Sequence, residues 1–256
     1  MSEEAAPEQW GTPEGREMIR LLWDPPTPSA RGPKQKITLD QIVEAGMAIS
    51  ADEGWEGLSM RKLAQHLGVG VMSLYTYVPG KDQLFELMVD RAYGTRKLPD
   101  QSLPWREQVE LHAHEARVMY ARFPWMLHAN LWRTPLGPHV MDQQEDLYRA
   151  VLASGLNKAD TVRVTGAIEA HVFGVARGEI TDAREASRTG ITADEYWESR
   201  SSFWGTYYSP ERFPVMTAIW ESGAYDEPPV EGVEFGLARL LDGVELLIER
   251  GGSKKP

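Results

Sequence analysis

Residues 58–81 carry the strongest structural signal in the chain and read LSMRKLAQHLGVGVMSLYTYVPGK. Ser59 can cap a helix whose apolar stripe follows four to eight residues later. That stripe consists of Leu63, Ala64 and Leu67. Gly68 can end the helix in a left-handed conformation. A second helix is predicted from about residue 71 to 78, before the Pro79-Gly80 turn. Two short helices around a glycine-containing turn predict a helix-turn-helix.

The second helix of this pair has one apolar edge and one outward face. At about 100° per residue, Leu74 and Val78 point together towards a core, whereas Met72 and Thr76 point away from it. The outward face carries Met72, Ser73, Tyr75 and Thr76. None of these side chains is acidic, and together they suit a major groove about 12 Å wide.

The distribution of charge is uneven. The net charge is −11, from 27 basic and 38 acidic residues, and taken alone it argues against nucleic-acid binding. Residues 31–97, however, hold 9 basic and 8 acidic residues, which leaves −12 for the rest of the chain. No Asp or Glu occurs in residues 57–81. Proximity to DNA phosphates would explain an acid-free segment that coincides with the helix-turn-helix.

The remaining pattern is helical as well. Thr38 can cap a helix that ends near Gly54, and another helix runs from Lys81 to about Lys97. Helical periods then cover residues 105–122, 140–154, 158–180 and 231–250, with Pro and Gly between them. The segment 181–193 is polar and is predicted to be a mobile loop. Because no strand-like alternation occurs, the predicted fold class is all-α.

The ends of the chain are predicted to lie outside the helical domains. Residues 1–35 carry six prolines and are predicted to form an extended, mobile arm with one short amphipathic piece at 14–23. The apolar side of that piece is Met18, Ile19, Leu22 and Trp23. Arg31, Lys34 and Lys36 fit either a DNA-reaching arm or a solvated linker. Residues 251–256 are predicted to be a disordered tail.

Several spaced signals together resemble one known family. Residues 58–69 read LSMRKLAQHLGV, residues 73–78 read SLYTYV, and residues 80–85 read GKDQLF. This segment resembles the DNA-binding head of the tetracycline-repressor (TetR) family of bacterial transcription regulators, over about residues 38–97. The resemblance implies a three-helix DNA-binding head at 36–97, joined to a larger helical effector-binding and dimerisation domain at 98–250.

The resemblance also implies roles for individual residues. Arg61 corresponds to a base or phosphate contact, and Lys81 corresponds to a phosphate contact. The residues implied to face or flank the groove are Val71, Met72, Ser73, Tyr75, Thr76 and Tyr77. Since Val71 and Met72 cannot donate hydrogen bonds, part of the specificity would come from thymine methyl contacts and DNA shape. Two alternatives stay open: Tyr75 packs against the first helix, and Lys62 is a solvated surface charge.

The C-terminal domain holds most of the aromatic residues, 17 of 24 after residue 97. Aromatic and methionine side chains with a few polar groups suit an apolar ligand cavity between helices. The candidate ligand-binding residues are His112, Tyr120, Trp125, His128, Asn130, Trp132, His171 and Trp204. The alternative is a packed core in which the histidines are satisfied by neighbours.

Two helices in this domain could pair two copies of the chain. Gly166, Ala170, Gly174 and Gly178 form a stripe of small residues at steps of four. A broad apolar face follows at residues 237–248. The family resemblance implies a homodimer with two such helices from each subunit, which places two recognition helices about 34–36 Å apart on a near-palindromic operator. The alternative is that the stripe packs within one chain.

The favoured function is a ligand-responsive, DNA-binding repressor that leaves a palindromic operator when a small, largely apolar effector binds. The chain has no cysteine and no catalytic motif, so no enzyme activity, metal or cofactor is predicted. No signal peptide or membrane span is predicted either, which favours the cytoplasm. The alternatives are a helical small-molecule-binding protein or enzyme whose helix-turn-helix serves assembly, and a regulator controlled by a protein partner.

Overall fold

The computed structural model describes residues 11–25, 37–128, 133–225 and 232–251. Within these ranges the chain is helical and no strand occurs. The helices are α1 (Pro13–Trp23), α2 (Leu39–Gly57), α3 (Met60–His66), α4 (Val71–Tyr75), α5 (Lys81–Tyr93), α6 (Trp105–Arg122), α7 (Pro138–Leu152), α8 (Lys158–Thr189), α9 (Ala193–Glu198), α10 (Ser202–Thr206), α11 (Pro214–Glu221) and α12 (Gly232–Glu249).

The head is built from α2 to α5, and its local signals act as predicted. Thr38 caps α2 in a capping box with Gln41. Gly54 interrupts the end of α2 with φ +74° and ψ 172°, a conformation that is almost exclusive to glycine. The hydroxyl of Ser59 accepts a hydrogen bond of 3.2 Å from the backbone N–H of Lys62 at the start of α3. Gly68 adopts φ +65° and closes the helix-turn-helix turn.

The predicted amphipathic piece at 14–23 is a helix, and it packs on the head although it lies in the segment predicted to be a mobile arm. Thr12 caps this segment, which forms α1 and contacts α5. Met18, Leu21 and Leu22 are buried in the core of the head, whereas Ile19 and Trp23 are exposed. The buried face is therefore rotated from the predicted one, because α5 covers the Leu21 side of the helix. Arg31, Lys34 and Lys36 lie outside the described residues, as do residues 252–256 of the predicted tail.

The body is a bundle of α6, α7, α8 and α12, which contact one another around a second apolar core. That core includes Val109, Leu147, Val151, Ile168 and Leu241. The predicted loop at 181–193 is wrong over most of its length, since α8 continues to Thr189 and ends at Gly190 with φ +70°. Almost every side chain of this last part is exposed. It therefore lacks the apolar stripe that would have marked it as a helix.

Head and body share contacts. Helix α5 packs on α7, and α2 packs on the turn at Pro124–His128. The indole of Trp125 is fully buried there, with its ring centroid 5.8 Å from that of Phe85. Helices α9 to α11 form a separate aromatic-rich segment between α8 and α12. None of the described helices is both long enough and apolar enough to cross a membrane.

Candidate nucleic-acid interface and ligand cavity

The outward face of α4 is where the helical wheel predicts it. Leu74 and Val78 are fully buried against the head core, while Met72 is 77% exposed and Tyr75 is 44% exposed. Ser73 and Thr76 are also exposed. This confirms the predicted orientation of the helix. The surface that α4 offers to a partner consists of Met72, Ser73, Tyr75 and Thr76.

The residues that flank this face divide their surface between the core and solvent. Val71 and Tyr77 are half-buried and pack against the core of the head. Tyr75 is not among the side chains packed against that core. The hydroxyl of Thr76 donates a hydrogen bond of 2.7 Å to the carbonyl of Ser73. The proton of Thr76 is thus used within α4, and its methyl group and oxygen lone pairs remain for other contacts.

The basic residues of the head are held in different ways. Arg61 is exposed on α3. Lys62 forms an ion pair with Glu53 across the α2–α3 turn, so it has a carboxylate partner as well as solvent. Nζ of Lys81 donates a hydrogen bond of 2.8 Å to the carbonyl of Trp55 and lies 4.1 Å from the centroid of the Trp55 ring. Because an ammonium has three N–H donors, these contacts fix the position of the charge and leave capacity for a phosphate.

A cavity of about 180 Å³ lies among α5, α6, α7 and α8. Of the predicted ligand-binding residues, His112 and Tyr120 line it. Its apolar wall includes Tyr93, Ala116, Val140, Leu147, Ile168 and Val172. Its polar lining residues are Arg96, His112, Thr134, Gln143, Gln144 and Glu169. The cavity thus combines an apolar interior with polar groups at particular points, as small-molecule sites do.

A hydrogen-bonded network holds the polar wall. Nε2 of His112 lies 2.9 Å from Oδ2 of Asp146, and both side chains are buried. Burial lowers the pKa of His112, so the ring is neutral near pH 7. The guanidinium of Arg96 donates a hydrogen bond of 3.1 Å to the carbonyl of His112. Burial also raises the pKa values of Glu169 and Tyr120.

The other predicted ligand-binding residues are not brought to this cavity. Trp125 is buried in the core between head and body, and His128 is exposed, with Nδ1 4.0 Å from Oε1 of Glu56. His171 lies against Gly236 of α12, where a Cβ would overlap the imidazole. Asn130 and Trp132 lie outside the described residues.

Trp204 lines a different cavity, of about 680 Å³, formed within α9 to α11. Its aromatic lining consists of Trp197, Trp204, Tyr208, Trp220 and Tyr225. The predicted aromatic residues therefore serve two cavities and a core rather than one site.

The lining residues that the sequence did not single out include Tyr93, Arg96, Gln143 and Glu169. In the sequence, Arg96 contributes only to the basic balance of residues 31–97. The position of Arg96 just after α5, where the chain passes from the head into the body, is the sequence feature that could have indicated its place in the cavity wall.

The small residues of the α8 stripe are exposed, and two of them, Gly166 and Ala170, also lie at the cavity among α5 to α8. Among the described residues, a Cβ placed on Gly166, Gly174 or Gly178 would meet nothing within 4 Å. Ala170 is exposed as well. The described part of the chain therefore gives these glycines no packing partner, and the intramolecular alternative finds no support there. The close intramolecular approach of α8 and α12 uses Gly236 instead.

Comparison with known proteins follows the same division of the chain. Residues 42–88 match the family described as bacterial regulatory proteins, tetR family. Residues 98–248 match the tetracyclin repressor-like C-terminal domain. The chain is 38% identical over 241 residues to the HTH-type transcriptional repressor DrrR1 of Streptomyces coeruleorubidus, which covers 93% of this chain and 88% of that protein.

Solved structures show the same fold at lower identity. Apo ActR from Streptomyces coelicolor superposes with a TM-score of 0.72 at 22% identity, covering 86% of this chain and 100% of that one. BioQ from Mycobacterium smegmatis superposes with a TM-score of 0.59 at 20% identity, covering 82% of this chain and 99% of that one.

Proposed function

Because the chain belongs to the TetR family of bacterial regulatory proteins, we propose that it is a homodimeric repressor that a small molecule releases from its operator. DNA binding through the helix-turn-helix is the property that the family matches support directly. The name of DrrR1, at 38% identity, supports repression. Release by a ligand and pairing of two chains are proposals, and each is supported by a feature of the structure.

The observation that carries DNA binding is the outward face of α4. Met72, Ser73 and Tyr75 are exposed on a helix whose other side is held in the core by Leu74. Residues 57–81, which contain this face, include no Asp or Glu. A duplex can therefore approach α4 without placing its phosphates against carboxylates of that segment.

Dimerisation is supported by the exposed stripe on α8. A helix backbone of a second copy can approach Gly166, Gly174 and Gly178 closely, because these positions lack a Cβ and face open space. Exposed Phe235 and Leu246 on α12 would add apolar surface to the same contact. Two-fold pairing would present two α4 helices to successive major grooves, which suits an inverted-repeat operator.

Ligand control is supported by the cavity among α5 to α8. Its wall contains Tyr93 and Arg96 at the end of the head and Ile168 in the body. A ligand that fits the cavity in only one arrangement of these helices would shift the population of head positions. The fold is shared with ActR, which has been solved in complex with actinorhodin, and with BioQ, which has been solved with its double-stranded DNA operator.

The experiment is an operator search. Purified full-length protein is incubated with fragments of its genome, and bound fragments are recovered by electrophoretic shift and sequenced. The proposal expects enrichment of a short inverted repeat, with binding that weakens steeply as salt rises. No enrichment would contradict it and favour a helix-turn-helix that serves assembly.

A further inference from the structure

Arg96 places a cation in the cavity wall without a carboxylate in contact. Its guanidinium donates to the carbonyl of His112 at 3.1 Å and lies 3.4 Å from Nδ1 of the same ring. Among the described residues, no Asp or Glu forms an ion pair with it. Nε of Arg96 is buried and has no acceptor there. A buried donor without a partner costs free energy, which an acceptor on a ligand would recover.

Gln143 supplies the complementary group on α7. Its Nε2 donates a hydrogen bond of 3.1 Å to the carbonyl of Arg96, which ties the two residues together. Its Oε1 is buried and has no donor among the described residues. Arg96 and Gln143 both line the cavity, and each keeps one buried polar atom, Nε and Oε1 respectively, without a partner among the described residues.

The neighbouring acids do not neutralise Arg96 by contact. Asp146 lies 2.9 Å from His112 and forms an ion pair with Arg149. Glu115 accepts a hydrogen bond of 3.0 Å from the backbone N–H of Lys97. Glu169 lines the cavity and interacts with the charge of Arg96, but among the described residues the two form no ion pair, and burial raises the pKa of Glu169. Arg96 therefore has no carboxylate in direct contact among the described residues.

The rest of the cavity is apolar and small. Side chains of Val140, Leu147, Ile168 and Val172 and the rings of Tyr93 and Tyr120 form it. Its volume of about 180 Å³ is close to that of cavities of roughly 150 Å³ that hold benzene. A single substituted aromatic ring matches both the size and the lining.

We propose that the effector is a small planar aromatic acid with a neighbouring hydroxyl, whose carboxylate binds Arg96 and whose hydroxyl donates to Gln143. This inference rests on the proposed ligand control and names the class of ligand. It revises the expectation of a largely apolar effector, since the cavity would bind one anionic group and one hydrogen-bond donor of the ligand. Arg96 selects the acid, and the apolar wall selects the ring.

The test uses two probes of the same shape, 2-hydroxybenzoate and its neutral amide, with calorimetry on the full-length protein. The acid is expected to bind at least about tenfold more tightly than the amide, the ratio for one charge-assisted hydrogen bond. Arg96→Gln is expected to abolish that preference, and Arg96→Lys to retain part of it. Arg122→Gln removes an exposed arginine of α6 and serves as the matched control.

Equal affinities for the two probes, or binding by neither of them, would overturn the inference. The wild-type comparison needs no variant, so it decides the question even if Arg96→Gln fails to fold. Operator binding is measured separately. A protein that binds an inverted repeat but does not prefer the acid would retain the proposed function and lose this inference, whereas the reverse result would retain the site and lose the proposed function.

Discussion

Oδ1 of Asp90, in the last helix of the head, accepts a hydrogen bond of 3.0 Å from the backbone N–H of Val140 in the first turn of α7. The other oxygen of this carboxylate lies 2.8 Å from Nδ1 of His139. A Cβ on Gly137 would overlap the same carboxylate, so glycine is required for the approach. The contact joins α5, which begins beside the helix-turn-helix, to α7, which lines the cavity.

Asp90→Ala should destabilise the protein, because it removes the acceptor from a buried backbone N–H at the start of α7. The expected loss is about 1–3 kcal/mol in the free energy of unfolding. Urea unfolding followed by circular dichroism measures it. Asp142→Ala changes an exposed carboxylate of the same helix and should leave the stability within about 0.5 kcal/mol. Equal stabilities of the two variants would show that the contact does not hold α7.

Lys81→Ala should weaken operator binding and make it less dependent on salt. One phosphate contact fewer lowers the slope of log K against log salt by about one unit. Fluorescence anisotropy at several salt concentrations measures the slope, with Lys158→Ala on the exposed start of α8 as the control. If the slope is unchanged, the ammonium held over Trp55 does not contact a phosphate.

His112 should make stability depend on pH. Burial and the positive charge of Arg96 lower its pKa more than Asp146 raises it, and Arg149 acts in the same direction as Arg96. The folded protein then binds fewer protons than the unfolded chain, so the free energy of unfolding falls as pH drops through about 6.5. Between about pH 7.5 and pH 5.5, the wild type should lose more stability than His112→Gln. Parallel pH profiles would show that His112 is not responsible.

Gly174→Trp should dissociate the dimer without unfolding the protomer. The added side chain has open space in one chain, but it would occupy the position of a second helix backbone. Sedimentation velocity should give a dimer for the wild type and a monomer for the variant. Gly205→Trp places the same side chain at another open position, on α10, and should remain dimeric. A wild-type monomer, or a dimeric Gly174→Trp variant, would exclude this interface.

Much of the head could be predicted because its signals are local. Ser59 and Gly68 mark the ends of α3, and the phase of Leu74 fixes which side of α4 is outside. By contrast, the end of α8 is a solvated helix. It is stabilised by pairs such as Glu185–Arg188 and by good helix formers rather than by burial, so its polar sequence resembles a loop.

The ligand cavity was less predictable for a different reason. An aromatic residue such as Trp125 or Trp204 looks alike in sequence whether it fills a core or lines a cavity. The two residues that give the cavity its chemistry, Arg96 and Gln143, are distinguished by their unpaired atoms. Whether these atoms find hydrogen-bond partners depends on how the helices around the cavity pack, and no local sequence pattern predicts that packing.

A single thiol on the outward face of α4 reports whether this face contacts DNA. The chain has no cysteine, so Met72→Cys carries the only thiol at a position that is 77% exposed. With saturating operator, maleimide labelling of this thiol should slow to the rate at which the complex dissociates, while Glu107→Cys on α6 should label equally with and without operator. Labelling of Met72→Cys at an unchanged rate in the bound complex would contradict the account.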